Sequence, residues 1–157
     1  MTDVHAELSS LNAAYARCID NDELEAWPSF FFDSCLYKVT TAENHRNGWE
    51  AGLIYADSRG MLADRIASLR RANVFERHGY RHVIGATHVL AEDGRGGASS
   101  ETPFLVVRIM RTGEMDLFAA GRYLDRVERD GDGKLRFRSR IAVCDGCNID
   151  TLLVIPL

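Results

Sequence analysis

The stretch from Pro103 to Asp145 limits what this chain can fold into more than any other. Pro103-Phe-Leu-Val-Val-Arg-Ile-Met-Arg111 is dense in β-branched and apolar residues, and Thr112-Gly113 follows as a turn. Glu114 to Arg129 forms a second run. Asp130-Gly-Asp-Gly133 closes it with glycines that accept the positive φ of a tight hairpin. Lys134 to Asp145 then returns. In its first half Leu135, Phe137 and Ser139 fall on one face and Lys134, Arg136, Arg138 and Arg140 on the other, giving a dry face and a charged, wet one. Three long antiparallel strands with one apolar face need something to fill their concavity. The helices upstream are what the chain offers.

Asp3 to Ile19 reads as an amphipathic helix, with Val4, Leu8, Leu11, Tyr15, Cys18 and Ile19 in one apolar stripe. Asp22 and Glu25 have the spacing of a capping box, so a second short helix starts there and ends at Pro28, which has no amide proton to donate. Phe30, Phe31 and Phe32 plug one end of the core. Ser34 to Thr41 and Leu53 to Ala56 read as strands around a polar loop over 42–51. Asp57 or Ser58 caps a third helix through Arg71, with Leu62, Ile66 and Leu69 inward. Arg81 to Ala91 reads as one strand, and Glu92 to Glu101 as a loose loop.

Helices segregated from a run of antiparallel strands define an α+β fold. The expectation is three helices of the N-terminal half packed on a curved, mostly antiparallel sheet of about six strands. At 157 residues, residues 1–157 are expected to form a single domain. A net charge of −4 disfavours nucleic acid as the main partner. Without an apolar leader after Met1-Thr-Asp-Val-His or an 18-residue apolar run, the expectation is a soluble, cytoplasmic protein that does not meet a membrane.

Cys144-Asp-Gly-Cys147 has C-x-x-C spacing, which suits half a zinc site or a redox pair. No second pair lies where it would complete four ligands, and a β-rich run follows where a redox motif would open a helix. With Cys18 and Cys35, these thiols read as small buried hydrophobes. His82 and His88 sit six apart, so on one strand they share a face. With Asp33 or Asp57 they could line the mouth of a cone and supply a general base, as in a free-standing isomerase or dehydratase. His78 and His82 are four apart, but Gly79-Tyr80 breaks the helix that would make them metal ligands. Phosphate-binding loops and dinucleotide fingerprints are absent.

Trp27-Pro-Ser-Phe-Phe-Phe-Asp-Ser-Cys-Leu-Tyr-Lys-Val-Thr-Thr41, Ala56 to Arg70 followed by Arg81-His-Val-Ile-Gly85, Gly121 to Val127 and Arg140 to Asp145 together resemble the small (β) subunits of Rieske-type aromatic-ring-hydroxylating dioxygenases. Asn12 to Tyr15, Tyr80-Arg-His82 and Asp150 to Leu153 with Pro156-Leu157 are most similar to the terephthalate-type small subunits; salicylate-type ones share much of the pattern. The resemblance implies a cystatin-like, NTF2-like cone with no catalytic, cofactor or metal residues of its own. It also implies a large α subunit carrying a [2Fe-2S] Rieske cluster and a mononuclear non-haem iron, an α3β3 hexamer, and a reductase that contacts the complex. The rival reading is the free-standing isomerase or dehydratase built on His82 with Asp57 or Asp33. Thr151 to Leu157 is an almost uninterrupted apolar run, so Leu152, Leu153, Val154 and Ile155 are expected in a subunit interface.

Overall fold

The computed structural model of the chain describes residues 3–50, 52–72, 77–147 and 155–157, with only the backbone of Cys147. Helix α1 spans Val4–Asp20, and its first turn is capped by Asp3, whose side chain accepts from the His5 amide. A 3-10 helix covers Leu24–Phe30, followed by β1 (Phe31–Thr41), the short α2 (Ala42–Arg46), β2 (Ile54–Ser58) and α3 (Arg59–Arg71). Then come β3 (His78–Ile84), β4 (His88–Glu92), β5 (Ala98–Met110), β6 (Met115–Arg129) and β7 (Leu135–Cys147). Ser58 rather than Asp57 caps α3, accepting from the Met61 amide at 3.1 Å.

Among the described residues one sheet holds all seven strands in the order β2-β1-β7-β6-β5-β3, with β4 paired to β5 beside it. Every pairing is antiparallel except β1 with β7, which run parallel. The β6–β7 hairpin turns at Gly133, with φ at +81°, while the Asp130 carboxylate accepts from the Asp132 and Lys134 amides at 2.9 Å. Helix α1 packs on the inner face against β3 and β7, and α3 covers β1 and β2. Between helices and sheet, Leu8, Tyr15, Trp27, Phe31, Tyr37, Leu62, Tyr123 and Phe137 are all fully buried. Tyr15 meets Phe31, Tyr123 and Phe137 edge-on, and Trp27 meets Tyr37 with ring centroids 5.0 Å apart, an arrangement that suits the ring quadrupoles.

The expected loop over 42–51 contains α2, and that from Glu92 to Glu101 gives way to β5 at Ala98. Three further local expectations fail, each for a physical reason. The capping box does not form: the 3-10 helix has no side-chain cap, because Arg70 engages Asp22 at 2.9 Å and Glu25 at 2.7 Å, with Asp22 held at φ 60°. The strand expected from Arg81 to Ala91 breaks at residues 85–87. Gly85 lies against Pro103, which accepts the Gly85 amide but has no N–H to return, so the ladder loses a rung there. Most consequential is Arg140. In β7, Phe137 pairs with Val127 and Ser139 with Arg126, so Arg138 is an extra residue on that strand. The bulge reverses the alternation beyond it, and Arg140 enters the core instead of the wet face.

Candidate functional site

The buried Arg140 is held from three sides. Its Nε and Nη2 donate to Asp125 at 2.8 and 2.7 Å, and Nη2 also donates to Asn12. The guanidinium lies over the rings of Tyr123, Phe137 and Tyr15 at 3.8, 4.1 and 4.3 Å, where the negative ring faces offset part of its lost hydration. Burial works against the Arg140 charge, and Asp125 more than compensates, so the guanidinium stays ionised. Burial pushes the Asp125 carboxyl above its usual value, and Arg140 opposes that. Asn12 carries the network outward, donating to Thr87 at 3.1 Å and Thr102 at 3.3 Å. This is a structural cluster built on the Arg140–Asp125 pair, although Arg140 Nη1 and the Tyr123 hydroxyl are buried without a hydrogen-bond partner among the described residues.

His82 projects inward from β3, and the carboxylate that meets it is neither Asp57 nor Asp33. Asp33 is on the surface, bound to Arg59 at 2.7 Å, and Asp57 is exposed. Asp20, the last residue of α1, accepts from His82 Nδ1 at 2.6 Å and from the His82 amide at 2.9 Å. A carboxylate at the negative end of a helix is locally unfavourable, and His82 with Arg81 at 3.8 Å offsets it. That acidic helix end was the one sequence signal for the pair. His88 does not share the face of His82, because the break at 85–87 leaves it exposed on β4, opposite Glu101. His5 Nε2 lies 3.0 Å from the Thr87 carbonyl.

An Asp–His pair of this kind can orient a general base, yet here the imidazole is closed off from solvent. The His82 side chain is 0% exposed, and its Nε2 has no hydrogen-bond partner among the described residues. A cleft of about 430 Å³ runs between the ends of α1, α3 and β3 and is lined by Asp20, Arg70, Arg77, His78 and Ile155 but not by His82. The Cys18 and Cys35 thiols are poor nucleophiles. Burial pushes Cys18 up to about 11, with Glu23 and Glu25 adding to the effect, and raises Cys35 as well. Cys144 is buried within β7, and the side chain of Cys147 lies outside the described residues. No group of three His, Cys, Asp or Glu among the described residues could hold a metal ion.

The outer face of the sheet is of a different character. Val83 of β3 pairs with Leu105 of β5, and Arg81–Val107–Leu117 and Gly79–Ile109–Met115 form the next two rows across β3, β5 and β6. Val83, Leu105, Leu117 and Met115 are all exposed, which makes a contiguous apolar patch of the kind that marks an interface. Of the expected interface residues, Leu152, Leu153 and Val154 lie outside the described residues. Ile155 is buried against the core of this same chain, together with Leu157.

Helices seated in a curved, mostly antiparallel sheet place the chain in the cystatin-like, NTF2-like class of α+β cone. Within that class the chain belongs to the ring hydroxylating beta subunit family, whose sequence pattern matches residues 14–151. It is 50% identical over 151 residues to subunit beta 1 of the terminal oxygenase component of terephthalate 1,2-dioxygenase from Comamonas sp, covering 96% of this chain and 97% of that one. It is 35% identical over 151 residues to the anthranilate 1,2-dioxygenase small subunit from Burkholderia cepacia, covering 96% and 92%. A solved structure assigned as the beta subunit of an aromatic-ring-hydroxylating dioxygenase from Novosphingobium aromaticivorans DSM 12444 superposes with a TM-score of 0.88 at 40% identity, covering 98% of this chain and 96% of that one.

Proposed function

We propose that this chain is the non-catalytic assembly subunit of a terephthalate-like aromatic-carboxylate dioxygenase. The large α subunit it seats would carry the [2Fe-2S] Rieske cluster and the mononuclear iron, in an α3β3 hexamer served by a reductase. The observation that carries the reading is the sealed histidine: a base with no approach for substrate cannot turn one over, whereas the outer sheet face offers apolar surface for a partner. Leu152, Leu153 and Val154 remain proposed contributors to a subunit interface, through the apolar character of the run they belong to. A cytoplasmic location fits the free thiols of Cys18 and Cys35. Coexpression with the large iron–sulfur chain tests the proposal: both chains are expected in one gel-filtration peak in equal amounts, with iron tracking the large chain. A small subunit that elutes as a monodisperse monomer at micromolar concentration, with the large chain present, overturns it.

A further inference from the structure

Five places in the chain set an asparagine or aspartate directly before a glycine, and only Asn47-Gly48 offers an amide rather than a carboxylate. Asn47 closes the short helix α2, and Gly48 follows at φ +67°. Both are exposed, and the Asn47 side chain makes no hydrogen bond among the described residues. Nothing lies within 4 Å of the position a Gly48 Cβ would take. Helix α2 buries none of its residues, and a single turn without buried contacts frays readily. Fraying releases the Gly48 amide from the His45 carbonyl, to which it donates at 3.1 Å.

The four aspartate–glycine pairs are held differently. An ionised carboxylate resists attack by an amide nitrogen, and aspartate is ionised at neutral pH. Asp93 accepts from the Arg95 and Gly97 amides at 2.7 and 2.9 Å, and these bonds keep its carboxyl below the usual range. Asp130 accepts from Arg136 Nε at 2.6 Å and from the Lys134 and Asp132 amides at 2.9 Å, with the same effect. In the same turn the amide after Asp132, that of Gly133, donates to the Asp130 carbonyl at 3.0 Å. Gly146, after Asp145, pairs with Ala120 in the ladder between β6 and β7.

We propose that Asn47 is a site of spontaneous deamidation through a cyclic imide, with water as co-reactant. The Gly48 backbone nitrogen gives its proton to hydroxide and bonds to Asn47 Cγ, and the Cγ–Nδ2 bond breaks as ammonia leaves. Water then opens the ring. Cleavage at Cγ gives aspartate; cleavage at the backbone carbonyl carbon gives isoaspartate, with the main chain rerouted through Cβ and Cγ. Nothing is oxidised or reduced. Either product places a new carboxylate at the C-terminal end of α2, where the free carbonyls of the last turn disfavour it. Isoaspartate also lengthens the main chain by one carbon just ahead of Trp49. That exposed residue donates its amide to the Asn44 carbonyl and accepts from Lys38 Nζ, both at 3.0 Å, so the modification works against the position of its ring.

The test ages the assembled small and large subunits at neutral and at mildly alkaline pH. The small chain is then digested and sequenced by electron-transfer mass spectrometry, which separates aspartate from isoaspartate. Asn47 is expected to be the first residue modified, as a mixture of both products, at a rate that rises with pH. Gly48→Ala sets a methyl group beside the attacking nitrogen and is expected to slow the reaction about tenfold. An Asn47 that stays intact, or that is overtaken by another asparagine or aspartate of the chain, overturns the proposal. So does aspartate without isoaspartate, the mark of direct hydrolysis, and so does an unchanged rate in Gly48→Ala.

Discussion

Arg140 sits where an apolar residue would ordinarily serve, and its cost is met by Asp125, Asn12 and three aromatic rings. A buried ion pair is weak evidence for stability, because desolvation of both ions opposes their attraction, but breaking one strands a charge. Asp125→Ala is therefore expected to lower unfolding free energy by about 3–5 kcal/mol in denaturant titration. Arg140→Met combined with Asp125→Leu removes both charges and is expected to recover most of that loss. A double variant as unstable as the single one would mean that Arg140 holds the core by its shape and its ring contacts rather than by charge. His82 is the contrasting case. Its carboxylate partner lies 62 residues away at the end of a helix, and the pair is sealed, so the chemistry its ring offers elsewhere is here turned to holding α1 against β3.

At the scale of elements, β6 and β7 are packed tightly at Gly121. An added Cβ there would lie 2.0 Å from the Val143 carbonyl oxygen, which is backbone and cannot swing aside. Gly121→Ala is expected to cost about 1–3 kcal/mol, the range of an overpacked core. Gly131→Ala, on the open turn, serves as the control, with nothing within 4 Å of its added Cβ. A melting temperature for Gly121→Ala equal to that of the control would show that the strands separate freely. Much of this level was legible in the sequence. The stripe Val4–Ile19 and the runs flanking Gly113 and Gly133 carry their own periodicity, and the structure follows them closely. The bulge at Arg138 was not legible, because it exists only in the register of β7 against β6, and a single strand cannot reveal where its partner skips a residue. The same holds for Asp20 with His82: the acidic end of α1 signalled that a partner was needed, but only the packing of α1 on β3 says which. Pro103 was visible throughout, yet its effect on residues 85–87 falls on another strand.

At the scale of the whole molecule, the two faces of the sheet have separate tasks. The inner face is committed to α1, α3 and the aromatic cluster, while Val83, Leu105, Leu117 and Met115 remain exposed on the outer one. Leu117→Lys is therefore expected to shift unfolding free energy by no more than about 0.5 kcal/mol, as surface substitutions usually do. The same variant is expected to reduce the fraction recovered in complex with the large subunit, read as peak areas in gel filtration. Full recovery of the complex would move the contact surface elsewhere. The parallel pairing of β1 with β7 has a consequence in time. Phe31 lies opposite Phe137, and Thr41 opposite Cys144, so the first strand finds its central neighbour only in the last one. While the ribosome is still making the chain, β1 has only β2 beside it, with one side open and the rings of Trp27 and Phe31 uncovered. Such long-range pairing is slow and leaves sticky surface exposed. Recovery of soluble protein should therefore depend on what shelters that edge until residue 144 has emerged, whether a chaperone or a slower pace of synthesis at low temperature.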